Sequence, residues 1–228
     1  FSTLVILIFT FFVIRPSLGN NNFRFFSPKK NLLFEYAIPV LFANIAFALM
    51  TQADMVLVKH FFSEQDAGIY AAASVLGKAV LYLPGAFAIA LFPMVAENHA
   101  LGKSSINLFL QAIGLTAFLS LIGSLFFYFL ADHIILLSYG TDYKEASSIL
   151  KYFGFAVLPM SLIMVAEYFL IAMGRVLFAY LFIVVAPLQL ITIYYNHNTM
   201  LSIVFIMFMS GAILAMAGYG LLWKEFKK

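Results

Sequence analysis

The sequence contains no cysteine and few charged residues. Lys and Arg number 13 and Asp and Glu number 10 in 228 residues, so charged residues make up 10% of the chain. Without cysteine, disulfides and thiol chemistry are excluded. Soluble domains are about 25% charged, so the low charge excludes an ordinary water-soluble globular fold.

Catalytic motifs are also missing. The four histidines are scattered along the chain, and no H-E-x-x-H, glycine-rich phosphate loop or G-x-S-x-G motif occurs. The sequence therefore predicts neither an enzyme nor a bound cofactor. A coupling H⁺ or Na⁺ ion is the one small partner that remains open.

Hydrophobic residues, in contrast, make up 64% of the chain, with a mean hydropathy of +1.01. A helix needs about 20 residues to cross a bilayer at 1.5 Å per residue. Apolar runs without alternation indicate helices rather than strands. The predicted fold is an all-α polytopic membrane helix bundle, with six spans at 35–62, 67–95, 106–131, 147–173, 176–195 and 199–223.

The first apolar run, residues 1–14, is too short to cross the membrane by itself. It starts at Phe1 without the basic start and cleavage site of a secretory signal. We therefore expect the chain to begin part-way through a transmembrane helix, with some functional machinery preceding it. Residues 15–34 form a predicted linker, 35–223 a six-helix lobe and 224–228 a tail.

Basic residues are distributed unequally between the two predicted sides. Nine of the 13 lie in the linker, in the turns near Lys103 and Arg175 and in the tail, three lie opposite, and Lys78 lies inside a span. The positive-inside rule places the side with more basic residues in the cytoplasm. We predict a cytoplasmic-membrane protein whose linker and C-terminus are cytoplasmic. Because topology accounts for the net charge of +3, no nucleic-acid partner is predicted.

Asp54 and Lys78 are charges at depths where hydrocarbon is expected. Each costs roughly 2.5–3.5 kcal/mol there on insertion scales, so such residues normally face a partner or a wet cavity. They lie at similar depths on antiparallel helices and can meet. One interpretation is a buried ion pair that holds the two helices together. The other is that one or both residues face a central aqueous cavity and contact an ion or an anionic substrate.

Other polar residues are candidates for the same pathway. Asn44 and Thr51 are spaced with Asp54 to share one helix face, and Gln52 lies close by. This polar stripe either forms hydrogen bonds between helices or lines a cavity.

Glu167 lies about seven residues inside the cytoplasmic end of its helix, with Arg175 eight residues on. The two are interpreted as a gate or as a snorkelling pair. Tyr70 and Tyr82 are interpreted as interfacial anchors or packing residues.

Several short motifs resemble one family. They are Gln52-Ala53-Asp54, Phe61-Phe62, Asp66-Ala67-Gly68-Ile69-Tyr70, Gly77-Lys78 and Leu91-Phe92-Pro93, with later turns at Tyr139-Gly140 and Gly174-Arg175. These residues resemble the second lobe of polysaccharide (Wzx-type O-antigen and capsule) flippases of the multidrug/oligosaccharidyl-lipid/polysaccharide (MOP) superfamily. The resemblance covers essentially the whole chain, through short and diffuse motifs.

The resemblance implies a MATE-like transporter of two six-helix lobes joined by a cytoplasmic linker. The missing N-terminal lobe would complete a cavity that carries a polyprenyl-pyrophosphate-linked oligosaccharide across the membrane by alternating access. It implies an anion-binding role for Lys78, and for Asp54 either a partner or a coupling-ion role. The alternatives are a cation-coupled multidrug or metabolite antiporter of the same superfamily, and a membrane glycan polymerase or acyltransferase.

Overall fold

The computed structural model describes residues 30–82, 84–175 and 177–226, and all regular structure in them is helical. The helices are α1 (Lys30–Phe61), α2 (Glu64–Gly77), α3 (Ala79–Tyr82), α4 (Gly85–Ala100), α5 (Ile106–Tyr139), α6 (Ala146–Ala172), α7 (Leu177–Tyr195) and α8 (Met200–Phe226). A short 3₁₀ turn (Thr141–Tyr143) links α5 to α6. Five of these helices, α1 and α5 to α8, are long and apolar enough to cross a membrane. The predicted all-α membrane helix bundle is confirmed.

The predicted span 67–95 was wrong as a single helix, because the chain there forms α2, α3 and α4. Pro84 has no N–H to donate and disfavours helical geometry in the residue before it, which separates α3 from α4. At Lys78 the turn tightens, since Leu81 N–H donates to the Lys78 carbonyl three residues back at 3.0 Å. The apolar composition of this stretch hides both breaks.

Two predicted helix boundaries also differ from the structure. Helix α5 does not end at residue 131 but runs to Tyr139, where Gly140 with φ +84° stops it. Asp132 is tolerated in this extension because it is exposed and pairs with Lys151 at 2.9 Å. Helix α1 begins at Lys30, inside the predicted linker.

The N-terminal and C-terminal predictions are only partly covered by the structure. The short apolar run 1–14 and the linker as far as residue 29 lie outside the described residues. At the other end α8 continues to Phe226, so most of the predicted tail is helical.

Residues from Tyr36 onward form one compact unit, and α6 is its central helix. Small residues let its neighbours approach closely: a Cβ added to Gly154 would lie 3.0 Å from Ser124 Cα of α5. Nearby, the Ser120 and Ser161 hydroxyls hydrogen-bond at 2.8 Å. Small residues and hydroxyl pairs are the usual means by which helices associate in lipid.

Gly174 closes α6 and allows a direct test of this end of the bundle. It has φ +71°, and Arg175 N–H donates to Leu170 O at 2.9 Å, as in a Schellman cap. An L-residue in this conformation costs roughly 1–2 kcal/mol. We expect Gly174→Ala to lower the unfolding temperature of the detergent-solubilised protein.

Gly220→Ala is the matched control, because a Cβ there meets nothing within 4 Å and alanine favours the helix. Equal unfolding temperatures for Gly174→Ala and Gly220→Ala would contradict the cap.

Candidate functional site

Asp54 and Lys78 form an ion pair between α1 and the break that follows α2. Lys78 Nζ lies 2.9 Å from Asp54 Oδ1, and the two side chains are 4% and 0% exposed. The structure thus brings together the two charges that the sequence placed at similar depth. In this conformation the pair is closed rather than open to a cavity.

The second carboxylate oxygen of Asp54 is also satisfied. Tyr70 OH donates to Oδ2 at 2.9 Å, and Ser74 Oγ donates to the same atom at 3.3 Å. Buried charges are stable only when such additional hydrogen bonds complete the pairing. Three donors from one helix segment therefore hold the Asp54 carboxylate.

Aromatic and sulfur contacts enclose the Asp54–Lys78 pair on the side that faces α6 and α8. Lys78 Nζ lies 5.9 Å from the centre of the Phe153 ring, within cation–π range. Tyr70 stacks edge-on against Phe153 at 5.8 Å and its hydroxyl lies 3.8 Å from Met207 Sδ. These contacts tie the site to α6 and α8.

Gln52 and Tyr82 connect this buried pair to the surface. Gln52 Nε2 donates to Tyr82 OH at 2.7 Å, while Lys78 Nζ donates to Gln52 Oε1 at 3.5 Å. Gln52 is exposed, and Tyr82 is 57% exposed. The two side chains therefore cover Lys78 where it approaches the surface of the described bundle.

Gln52 also lines an open apolar groove of about 510 Å³. The groove lies between α1 and α7, and its other lining residues are Ile45, Ala48, Leu49, Ala53, Val56, Leu57 and Leu190. An apolar groove and a cation thus meet at one polar side chain.

Tyr70 and Ser74 are site residues that the sequence interpretation missed. Tyr70 is not an interfacial anchor, since it is fully buried and bonded to Asp54. The signal was present in the spacing, because positions 70, 74 and 78 are four residues apart and share one helix face. Tyr82 is exposed and bonded to Gln52, as described above.

Asn44 and Thr51 lie apart from this network. Asn44 is exposed and donates to Val40 O at 2.8 Å, whereas Thr51 is buried and donates to Phe47 O at 2.9 Å. Both bonds stay within α1 and satisfy only the side chains themselves. The predicted stripe through Asn44, Thr51 and Asp54 is therefore not continuous here.

Glu167 and Arg175 occupy different surroundings. Glu167 is 5% exposed, and its Oε1 has no hydrogen-bond partner among the described residues. Arg175 is exposed in the turn after α6. The snorkelling pair between them is not formed in the described part of the chain.

A second polar cluster joins three helices near the first. Gln189 of α7 donates to the Met50 carbonyl of α1 at 2.8 Å, and Ser210 of α8 donates to Gln189 Oε1 at 2.7 Å. Such bonds between helices hold membrane bundles together. Within the described residues, no group of three His, Cys, Asp or Glu side chains has the arrangement of a metal site.

Comparison with known proteins places this bundle in a family. The sequence model of a family described as "polysaccharide biosynthesis protein" matches residues 1–148, more than half of the chain. Neither the curated proteins nor the solved structures give a significant match. The chain belongs to the polysaccharide biosynthesis protein family.

Proposed function

We propose that this protein moves a polyprenyl-pyrophosphate-linked oligosaccharide across the cytoplasmic membrane by alternating access, as a Wzx-type flippase of the MOP superfamily. In this proposal the described helices form the second lobe, and a preceding lobe supplies the other wall of the cavity. The linker and the C-terminus face the cytoplasm.

The observation that carries the proposal is a membrane helix bundle within a polysaccharide biosynthesis family. The connections between the described helices are short, the longest being the six residues between Tyr139 and Ala146. Translocation of a lipid-linked sugar uses such a bundle directly, because the helices are the path. Polymerisation or acyl transfer would in addition need a set of reacting side chains.

The geometry around Gln52 supports a lipid-linked anion as the cargo. Such a cargo has a long apolar chain and a charged pyrophosphate, and here an apolar groove and a cation meet at Gln52. We assign the groove to the lipid chain and Lys78 to the pyrophosphate. Asp54 would hold Lys78 in the closed state and release it when Gln52 and Tyr82 separate.

Deletion of the gene in its own organism tests the proposal. A flippase deletion should accumulate lipid-linked oligosaccharide whose sugar is inaccessible to a lectin added outside spheroplasts. Accumulated oligosaccharide that the lectin does reach would instead indicate a polymerase. Unchanged surface polysaccharide together with altered drug resistance would indicate the antiporter and overturn the proposal.

A further inference from the structure

Glu167 is a buried acid that the proposed transport path does not use. It lies on the central helix α6, five residues before that helix ends at Ala172. Its side chain is 5% exposed, and no hydrogen bond or ion pair is found for it among the described residues. A carboxylate in these surroundings needs an explanation, because an isolated buried charge is strongly unfavourable.

Its surroundings on α6 are apolar or already bonded. Near it, Phe169 packs against Phe109 of α5 at 4.4 Å. The backbone carbonyls of Leu162 and Ile171 accept hydrogen bonds from the hydroxyls of Tyr219 and Tyr36, at 3.0 and 2.8 Å. These hydroxyls are therefore engaged elsewhere and do not satisfy Glu167.

Charged groups near this end of α6 face solvent instead. Of the side chains that the structure describes near this end, the titratable ones on the elements packed against α6 are Tyr36 on α1, Glu97 on α4, Tyr180 on α7 and Tyr219 on α8, with Tyr168 adjacent on α6 itself. Helix α5 contributes none in its first five turns, and the segment from α2 through α3 contributes Tyr70, Lys78 and Tyr82 to the network around Asp54. Among the ionic side chains that the structure describes near this end, Glu97, Lys103 and Arg175 are exposed.

We propose that Glu167 is a proton-binding site, which holds a proton in this conformation and releases it to water when the helices around it separate. A sodium ion needs several oxygen ligands, whereas a proton needs only the carboxylate itself. The carboxyl O–H bond breaks, water accepts the proton, and the remaining carboxylate is stable only when hydrated. Ionisation of Glu167 is therefore linked to opening of the bundle.

The consequence for transport rests on the proposed function, but the site itself does not. If the protein is a flippase, this proton couples the membrane proton gradient to the opening of the lobe. If the protein carries another substrate, Glu167 still binds a proton in the closed state. A test of the carboxyl group alone therefore separates the two proposals.

Labelling with dicyclohexylcarbodiimide provides that test, since this reagent modifies protonated carboxyl groups in apolar surroundings. In the full-length protein in native membranes, we expect an adduct at Glu167 that forms at mildly acidic pH and is lost at alkaline pH. Glu167→Gln, of the same size and shape, should abolish it. Asp54, paired with Lys78, and exposed Glu97 should stay unlabelled in the same sample.

Infrared spectroscopy covers the case in which the reagent does not reach the site. The carbonyl band of a protonated carboxyl should be present in the wild type and absent from Glu167→Gln. The proposal is overturned if neither the adduct nor the band is found. Protection of Glu167 from the reagent by sodium would also overturn it, in favour of a sodium site.

Discussion

Replacing Lys78 with methionine is expected to lower the free energy of unfolding by about 3–5 kcal/mol, the typical cost of removing one partner of a buried ion pair. The substitution keeps the long apolar stem but leaves the Asp54 carboxylate without its cation. Asp54 is 0% exposed, so water does not replace the lost partner. Titration with SDS in mixed micelles measures this loss of stability.

Two further variants show whether the loss comes from the unpaired charge. Asp54→Asn combined with Lys78→Met removes both charges and should recover most of the stability, since neutral replacements of buried pairs are often tolerated. Lys151→Met breaks the exposed pair with Asp132 and should change little, because water screens such pairs. If Lys78→Met were as stable as Lys151→Met, the closed pair described here would be wrong.

Gly77→Ala is the second substitution with a large expected effect. A Cβ at this position would lie 2.6 Å from Phe153 Cδ1 and 2.8 Å from Phe153 Cβ. Phe153 is fully buried, and its Cβ cannot move without shifting the backbone of α6. Overpacking of this kind typically costs about 1–3 kcal/mol.

Gly114→Ala is the matched control for Gly77→Ala, because a Cβ there meets nothing within 4 Å. Equal stability of Gly77→Ala and Gly114→Ala would show that α2 does not press against α6 at this point. The stability of Gly77→Ala and of Gly114→Ala is measured by the same SDS titration.

The sequence predicts the class of fold and the partners of one ion pair. Apolar runs of about 20 residues predict membrane helices because the bilayer fixes the length that a helix must have. The depth of Asp54 and Lys78 in the membrane follows from counting residues on either side of one turn. The sequence therefore predicts that the two side chains can form a pair. The spacing of Tyr70, Ser74 and Lys78 also contained the rest of the pair's donors.

Helix breaks and burial were beyond the sequence pattern. The division of one predicted span at Lys78 and Pro84 does not interrupt its apolar run, and a proline within a membrane helix does not by itself require the helix to end. The exposure of Asn44 and the burial of Thr51 depend on which neighbours pack against α1. The unpaired state of Glu167 depends likewise on where the tyrosines of neighbouring helices direct their hydroxyls.

The buried Asp54–Lys78 pair allows a structural role of Lys78 to be distinguished from its proposed role in transport. Asp54 holds Lys78 inside the bundle, and Tyr70 and Ser74 hold the Asp54 carboxylate, which is a structural role in this conformation. The proposed role in transport requires Lys78 to leave them when Gln52 and Tyr82 separate. A neutral pair that folds well but does not transport would therefore distinguish the second role from the first.

The most direct measurement of the central proposal is translocation in proteoliposomes that contain the full-length protein. Lipid-linked oligosaccharide is placed in the inner leaflet, and its appearance outside is followed with an added lectin. We predict that the wild type exposes the sugar much faster than protein-free liposomes, and that the stable Asp54→Asn, Lys78→Met variant does not. A wild-type rate equal to that of protein-free liposomes would contradict the flippase, and a fully active double variant would contradict the role of Lys78.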